Sequence, residues 1–163
     1  MDGELGDPGP VTPVRLTVAD AGELLTLQRA AYLDEVRIYR DVDLPPVRDT
    51  LEDTRAALAD PASTTWGVRD DGRLIASIRA VVDGVECRLY RLVVAPDRQG
   101  EGLGSALLLA AEVAAPPEVT TFRLNTGSKS GGPLYLYPRL GYRETHRTPE
   151  NDHELVHFAK PRA

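Results

Sequence analysis

Between residues 88 and 112 the chain reads RLYRLVVAPDRQGEGLGSALLLAAE, and no other stretch limits the fold as strongly. A run of strand formers closes on Ala95-Pro96. Three glycines follow at alternate positions, Gly100, Gly102 and Gly104, and a leucine- and alanine-rich segment with helical spacing begins at once. Glycine loses more freedom on folding than any other residue, so three of them between a strand and a helix mark a place that needs bare backbone. A helix N-terminus leaves about four amide groups unpaired and carries roughly half a positive charge. A glycine loop feeding it lets an anion come close to those amides. The neighbouring side chains Asp97, Arg98, Gln99 and Glu101 nearly cancel in charge. Backbone and dipole therefore have to hold any phosphate bound there.

The segments around this loop order themselves by periodicity. Val14–Val18 alternates as a first strand. Asp20 with Glu23 three residues on has the pattern of a helix start, and Leu24, Leu25, Leu27, Ala31 and Tyr32 keep helical spacing. Pro45-Pro46 breaks that helix. A second short helix starts at Asp49 or Thr50 and closes at Asp60-Pro61. Strands then dominate: 64–69, 74–82 and 85–94, joined by Asp-Gly turn signals that make an antiparallel meander. A helix over 103–114 follows the glycine loop and stops at Pro116-Pro117. Then come a strand over 120–125, a short helix over 133–140 ending at Gly141, and a hairpin of 142–148 with 153–160. The order predicts a layered α/β (α+β) domain, a mixed and mostly antiparallel sheet flanked by helices.

A chain of 163 residues suits one domain with a full core, here 14–163. The acidic, Gly/Pro-rich stretch 1–13 reads as a disordered tail without the regions of a secretory signal, and the expected location is cytoplasmic. No apolar run approaches the roughly 20 residues of a bilayer span, so no membrane partner is expected. The net charge of −6 argues against nucleic acid and leans toward cationic partners. Cys87 is alone, which excludes an intrachain disulfide and fits a small buried hydrophobe. His146, His153 and His157 match no metal spacing, so no metal is expected. An exposed sheet edge offers a surface on which two chains can pair as a homodimer.

Two familiar phosphate loops do not fit. A Walker loop needs Gly-Lys-Ser/Thr, and there is no lysine here. A dinucleotide fingerprint needs G-x-G-x-x-G/A, and the third position is Ser105 or Leu107 depending on where the count begins. Gln99-Gly100-Glu101-Gly102-Leu103-Gly104 instead resembles the Gln/Arg-x-x-Gly-x-Gly/Ala pyrophosphate loop of the GNAT superfamily of acyl-CoA-dependent N-acetyltransferases. The preceding strand, Arg91 to Pro96, resembles that family's central strand. Leu136-Tyr137-Pro138-Arg139-Leu140-Gly141-Tyr142 is similar to its Leu-Tyr-x-x-x-Gly-Phe/Tyr segment.

The resemblance implies a splayed central strand pair and acetyl-CoA as cosubstrate. Leu92, Val93 and Val94 would pair with the pantetheine arm. Gln99, Gly100, Glu101, Gly102, Leu103, Gly104 and Ser105 would hold the pyrophosphate. Asn125 would bond the pantetheine amides, and Arg139 a phosphate. Tyr137 would protonate or stabilise the leaving thiolate, and Glu86 would take the amine's proton through water. The acceptor, a small-molecule or peptide amine, would meet Tyr32, Asp34, Glu35 and Tyr39, with Asp41 and Asp43 nearby. Two further possibilities are a non-catalytic acyl-CoA-binding sensor on the same fold and an interaction domain whose loop binds nothing.

Overall fold

The computed structural model describes residues 11–163, so most of the expected tail lies outside the described residues. Seven strands form one sheet: β1 (Val14–Arg15), β2 (Ser63–Asp70), β3 (Arg73–Asp83), β4 (Glu86–Val94), β5 (Thr121–Gly127), β6 (Arg143–Glu150) and β7 (His153–Pro161), in the order β1-β2-β3-β4-β5-β7-β6. Every neighbouring pair is antiparallel except β4 with β5. The first strand is only two residues long because Thr17 and Asp20 close a capping box that turns the chain into a 3-10 turn at Val18–Asp20.

Among the described residues six helices flank the sheet: α1 (Ala21–Ala31), α2 (Leu33–Tyr39), α3 (Pro45–Arg48), α4 (Leu51–Ala59), α5 (Leu103–Ala114) and α6 (Gly131–Arg139). Asp20 and Glu23, expected to box the start of α1, both turn to Arg69 instead, at 2.9 and 2.6 Å. Pro45 and Pro46 end nothing: they open α3, where the missing N–H groups have no helical partner to lose. Thr50 caps α4 in a box with Asp53.

Each side of the sheet has its own apolar cluster. On one side α5 sets Leu103, Leu107, Leu108 and Ala111 against Ile78, Ala80, Cys87 and Leu89. On the other, Leu24 and Leu27 of α1 pack on Leu16, Leu74 and Val93. Strand alternation alone would put Leu89 and Val93 on the same face. They part because β4 carries a bulge. Ser77 pairs with Val93 but Arg79 with Tyr90, so Ile78 faces two residues, and Arg91 takes φ +53°. Leu92 and Val94 thereby join the α5 cluster. Alternation would likewise put Glu86, Arg88, Tyr90 and Leu92 on one face, and the bulge breaks that pattern at Leu92.

A charged group ties the second half of the sheet to α5. The carboxylate of Glu112 accepts from Lys160 Nζ at 2.7 Å and from the Tyr142 hydroxyl at 2.8 Å. At the open end of the sheet Tyr39 is equally fixed. Its hydroxyl lies 2.5 Å from Ser130 Oγ and accepts from the Lys129 amide at 3.2 Å. Gly127 lies directly beneath that phenol, and a Cβ there would overlap it. Gly127→Ala must displace Tyr39 and is expected to cost about 1–3 kcal/mol, the usual range for overpacking. Urea unfolding of the variant should show a lowered midpoint with an unchanged slope.

Candidate active site

Strands β4 and β5 pair only at Glu86–Arg88 with Thr121–Arg123, then separate. From Leu89 onward the β5-facing edge of β4 has no strand partner, and two clefts open around the gap.

The first cleft, about 740 Å³, runs from the glycine loop to Tyr137. Gly100 and Gly102 sit at φ +80° and +81°, where any other residue is strained, and Gly102 is the N-cap of α5. The first internal helix bond runs from the Ala106 N–H to the Gly102 carbonyl at 3.0 Å. The amides of Leu103, Gly104 and Ser105 therefore precede the helical ladder and form the end of the cleft. A Cβ on Gly104 would meet Val94 at 3.8 Å and Leu92 at 3.9 Å, which is ordinary contact. Protein packing does not require glycine there, and its bareness leaves the backbone open to the cleft. The one cation of the loop is committed: Arg98 pairs with Glu101 at 2.9 Å and Asp70 at 2.7 Å.

Of the twelve residues expected to contact the cosubstrate, Leu92, Val93, Val94, Gln99, Gly100, Gly102, Leu103, Gly104, Ser105 and Arg139 line this cleft. Glu101 and Asn125 do not. Glu101 turns to Arg98, and Asn125 sits beyond the gap on β5. Arg139 lies over the Tyr135 ring, 3.3 Å from its centroid, and donates to the Tyr135 carbonyl at 2.9 Å. Ser130, Gly131 and Gly132 at the start of α6 also line the cleft and were not anticipated. The signal was present in Ser-Gly-Gly-Pro, a second glycine-rich helix start.

The second cleft, about 420 Å³, lies between α2, the loop at Asp41–Pro46 and the β6–β7 turn. Tyr32, Glu35 and Tyr39 line it. Asp34 does not: it faces the first cleft, largely exposed, 3.5 Å from Arg37. Glu86 lies outside both linings, with its carboxylate 2.9 Å from Arg123. Tyr32, Glu35, Leu92 and Tyr137 border both clefts, which therefore meet at these side chains.

Tyr137 is held there by the way α6 ends. Gly141, at φ +96°, is the left-handed residue after the helix. The Tyr142 amide bonds the Tyr137 carbonyl at 3.1 Å, and the Gly141 amide bonds that of Pro138 at 3.2 Å. This is a Schellman motif, and its usual apolar contact is made by the rings of Tyr142 and Tyr137, 6.1 Å apart. Phe158 meets Tyr137 edge-on at 5.7 Å. The Leu-Tyr-x-x-x-Gly-Tyr spacing is thus the spacing of a helix stop that locks the tyrosine. Pro138 stands in the last turn, and α6 starts at Gly131, two residues earlier than expected.

Burial pushes the Tyr137 phenol well above its ordinary value, with Tyr32 and Glu35 adding to the effect. Burial likewise pushes Tyr32 up to about 12, against the pull of Arg91. Burial also raises Glu35, a backbone hydrogen bond opposes it, and Asp34 adds to the rise. The junction holds two phenols that keep their protons.

This arrangement agrees with what similarity to other proteins shows. A family profile described as an acetyltransferase (GNAT) domain matches residues 61–144. The mycothiol acetyltransferase of Clavibacter sepedonicus is 33% identical over 144 residues, an alignment covering 87% of this chain and 46% of that protein. The chain thus spans about half the length of that curated relative. Among solved structures, the PaiA N-acetyltransferase of Thermoplasma acidophilum in complex with coenzyme A superposes with a TM-score of 0.74 at 18% identity, covering 93% of this chain and 99% of that one. The ribosomal-protein-S18-alanine N-acetyltransferase of Escherichia coli gives 0.73 at 22% identity, covering 92% of each chain. The chain belongs to the GNAT acetyltransferase family, and its mixed sheet with a parallel, splayed β4–β5 pair has that family's fold.

The raised phenols set a pH dependence. In the unfolded chain Tyr32 ionises near 10.0, before it does so in the folded chain. The stability that Tyr32 contributes is therefore fully present below about pH 10 and is lost as pH climbs toward about 12. The urea midpoint should fall across that interval, and Tyr32→Phe should make the fall shallower.

Proposed function

We propose that the chain is an N-acetyltransferase that passes the acetyl group of acetyl-CoA to a primary amine by direct attack in a ternary complex. The observation that carries this reading is the meeting of an amide-rimmed cleft with a second, partly acidic cleft at Tyr32, Glu35, Leu92 and Tyr137. The pyrophosphate lies on the α5 N-terminus, held by backbone rather than by a cationic cluster. The pantetheine arm runs along Leu92–Val94, where β4 lacks its β5 partner. The amine enters past Glu35, whose carboxylate attracts an ammonium.

In the reaction the amine nitrogen bonds to the acyl carbon, the C–S bond breaks, and the electron pair goes to sulfur. A thiolate with pKa near ~8.5 is a far weaker base than the ionised form of a buried phenol. Tyr137 therefore acts first by donating a hydrogen bond to the developing thiolate. The proton that finally settles on sulfur is balanced by the one the new amide nitrogen sheds. Glu86 receives that proton only through water, because its carboxylate, paired with Arg123, lies outside both clefts. Most of the rate gain comes from holding two substrates in register. With Cys87 buried and its thiol pushed by burial to about 11, no covalent enzyme intermediate is proposed.

Calorimetric titration with acetyl-CoA, with NADH as the control, is the first test. Acetyl-CoA should bind, NADH should not, and Gly102→Val should abolish binding; a folded chain that binds no acyl-CoA ends the proposal. Tyr137→Phe should lower kcat by about 100-fold in a thiol-release assay while leaving acetyl-CoA affinity intact. Glu86→Gln should shift the acidic limb of the kcat/KM profile, and an unshifted limb removes Glu86 from the mechanism.

A further inference from the structure

A third hollow, about 310 Å³, adjoins the second cleft and shares Leu89, Tyr90, Leu124 and Asn125 with it. The two form one trough along the separated strands, and its ends differ in charge. The end at Tyr137 carries Glu35, Asp41, Asp43 and Glu150. Of its two arginines, Arg91 is engaged by Asp49 at 3.3 Å.

At the far end the balance reverses. Arg88 and Arg123 are register partners on β4 and β5, so two guanidinium groups stand side by side. Glu86 neutralises Arg123 at 2.9 Å. Arg88 is exposed and has no ion-pair partner among the described residues. Beside it the rings of His146 and His157 stack 4.3 Å apart and nearly parallel. Thr145 and Thr148 hold one nitrogen of each ring at 2.8 Å, leaving the other nitrogen of each ring for a ligand. The unpaired Arg88 guanidinium makes this end a home for an anion, and an imidazole N–H that faces it adds a hydrogen bond.

Resting on the acetyltransferase reading above, we propose that the acceptor is an amine that also carries a carboxylate. The nitrogen lies at Glu35 and Tyr137, and the carboxylate lies on Arg88 and the His146–His157 pair. The strand sets the ruler. Arg88 is four residues along β4 from Leu92, where the two clefts meet, about 13 Å in an extended strand and less across the bulge. An α-amino acid is too short to reach both ends. A chain of three residues extends to about 10 Å, and the long Arg88 side chain spans the remainder.

Triglycine and triglycinamide, identical but for the terminal carboxylate, make the test in a thiol-release assay with saturating acetyl-CoA. Triglycine should show a KM about ten times lower than the amide, and the gap should narrow as salt is raised. Arg88→Gln should bring the ratio close to one, and Arg88→Lys should keep part of it. Equal KM values, a ratio that survives Arg88→Gln, or acetylation of other amines but of neither peptide would each overturn the inference. The last outcome would leave acetyl transfer standing, whereas failure to bind acetyl-CoA would remove both.

Discussion

A single extra residue in β4 organises this molecule. Without the bulge at Arg91, Leu92 and Val94 would point at α1 and Val93 at α5, and neither apolar cluster would close. The bulge also turns the strand away from β5, which opens the gap that both clefts share. A non-glycine residue in left-handed backbone costs roughly 1–2 kcal/mol. Side chains repay it: Asp49 accepts from Arg91 at 3.3 Å and from Gln28 at 2.8 Å, while Gln28 also donates to the Pro46 carbonyl at 2.7 Å. The helices of the first third of the chain thus hold the distortion in a strand some forty residues later.

The opposite wall of the gap is set just as locally. Tyr137 occupies its place because α6 stops at Gly141, and α6 stops there because the left-handed glycine lets two amides fold back on the last carbonyls. Tyr142 then fills the core beneath it and is itself held by Glu112 and Lys160. The phenol at the junction of the clefts therefore has its position fixed by backbone bonds and its proton held by the apolar surroundings that those bonds create.

The sequence showed the regular parts of this structure well. The meander, the hairpin and α5 follow from alternation and turn residues, and each strand begins and ends within a few residues of its expected place. The glycine loop was legible because Gly100 and Gly102 adopt dihedral angles that other residues avoid. Contacts distant in sequence were not legible. Nothing marks Arg91 as a bulge, since that position most often announces itself with glycine. Asp20 and Glu23 have the right spacing for a cap, yet Arg69, forty-odd residues away, takes both. Asp34 and Glu35 look alike in the sequence, and a helix turn of 100° leaves Asp34 on the first cleft alone while Glu35 borders both. Glu101 and Asn125 belong to the right elements but point elsewhere.

The bond between Tyr39 and Ser130 joins the last residue of α2 to the residue that opens α6. One helix walls the second cleft; the other carries Tyr137 at the junction of the two. With that bond buried and Gly127 leaving the phenol no slack, the two helices are a single mechanical unit. Whatever seats against α6 in the first cleft therefore also bears on the wall of the second. Occupancy of one cleft is in this way felt at the other through the scaffold itself.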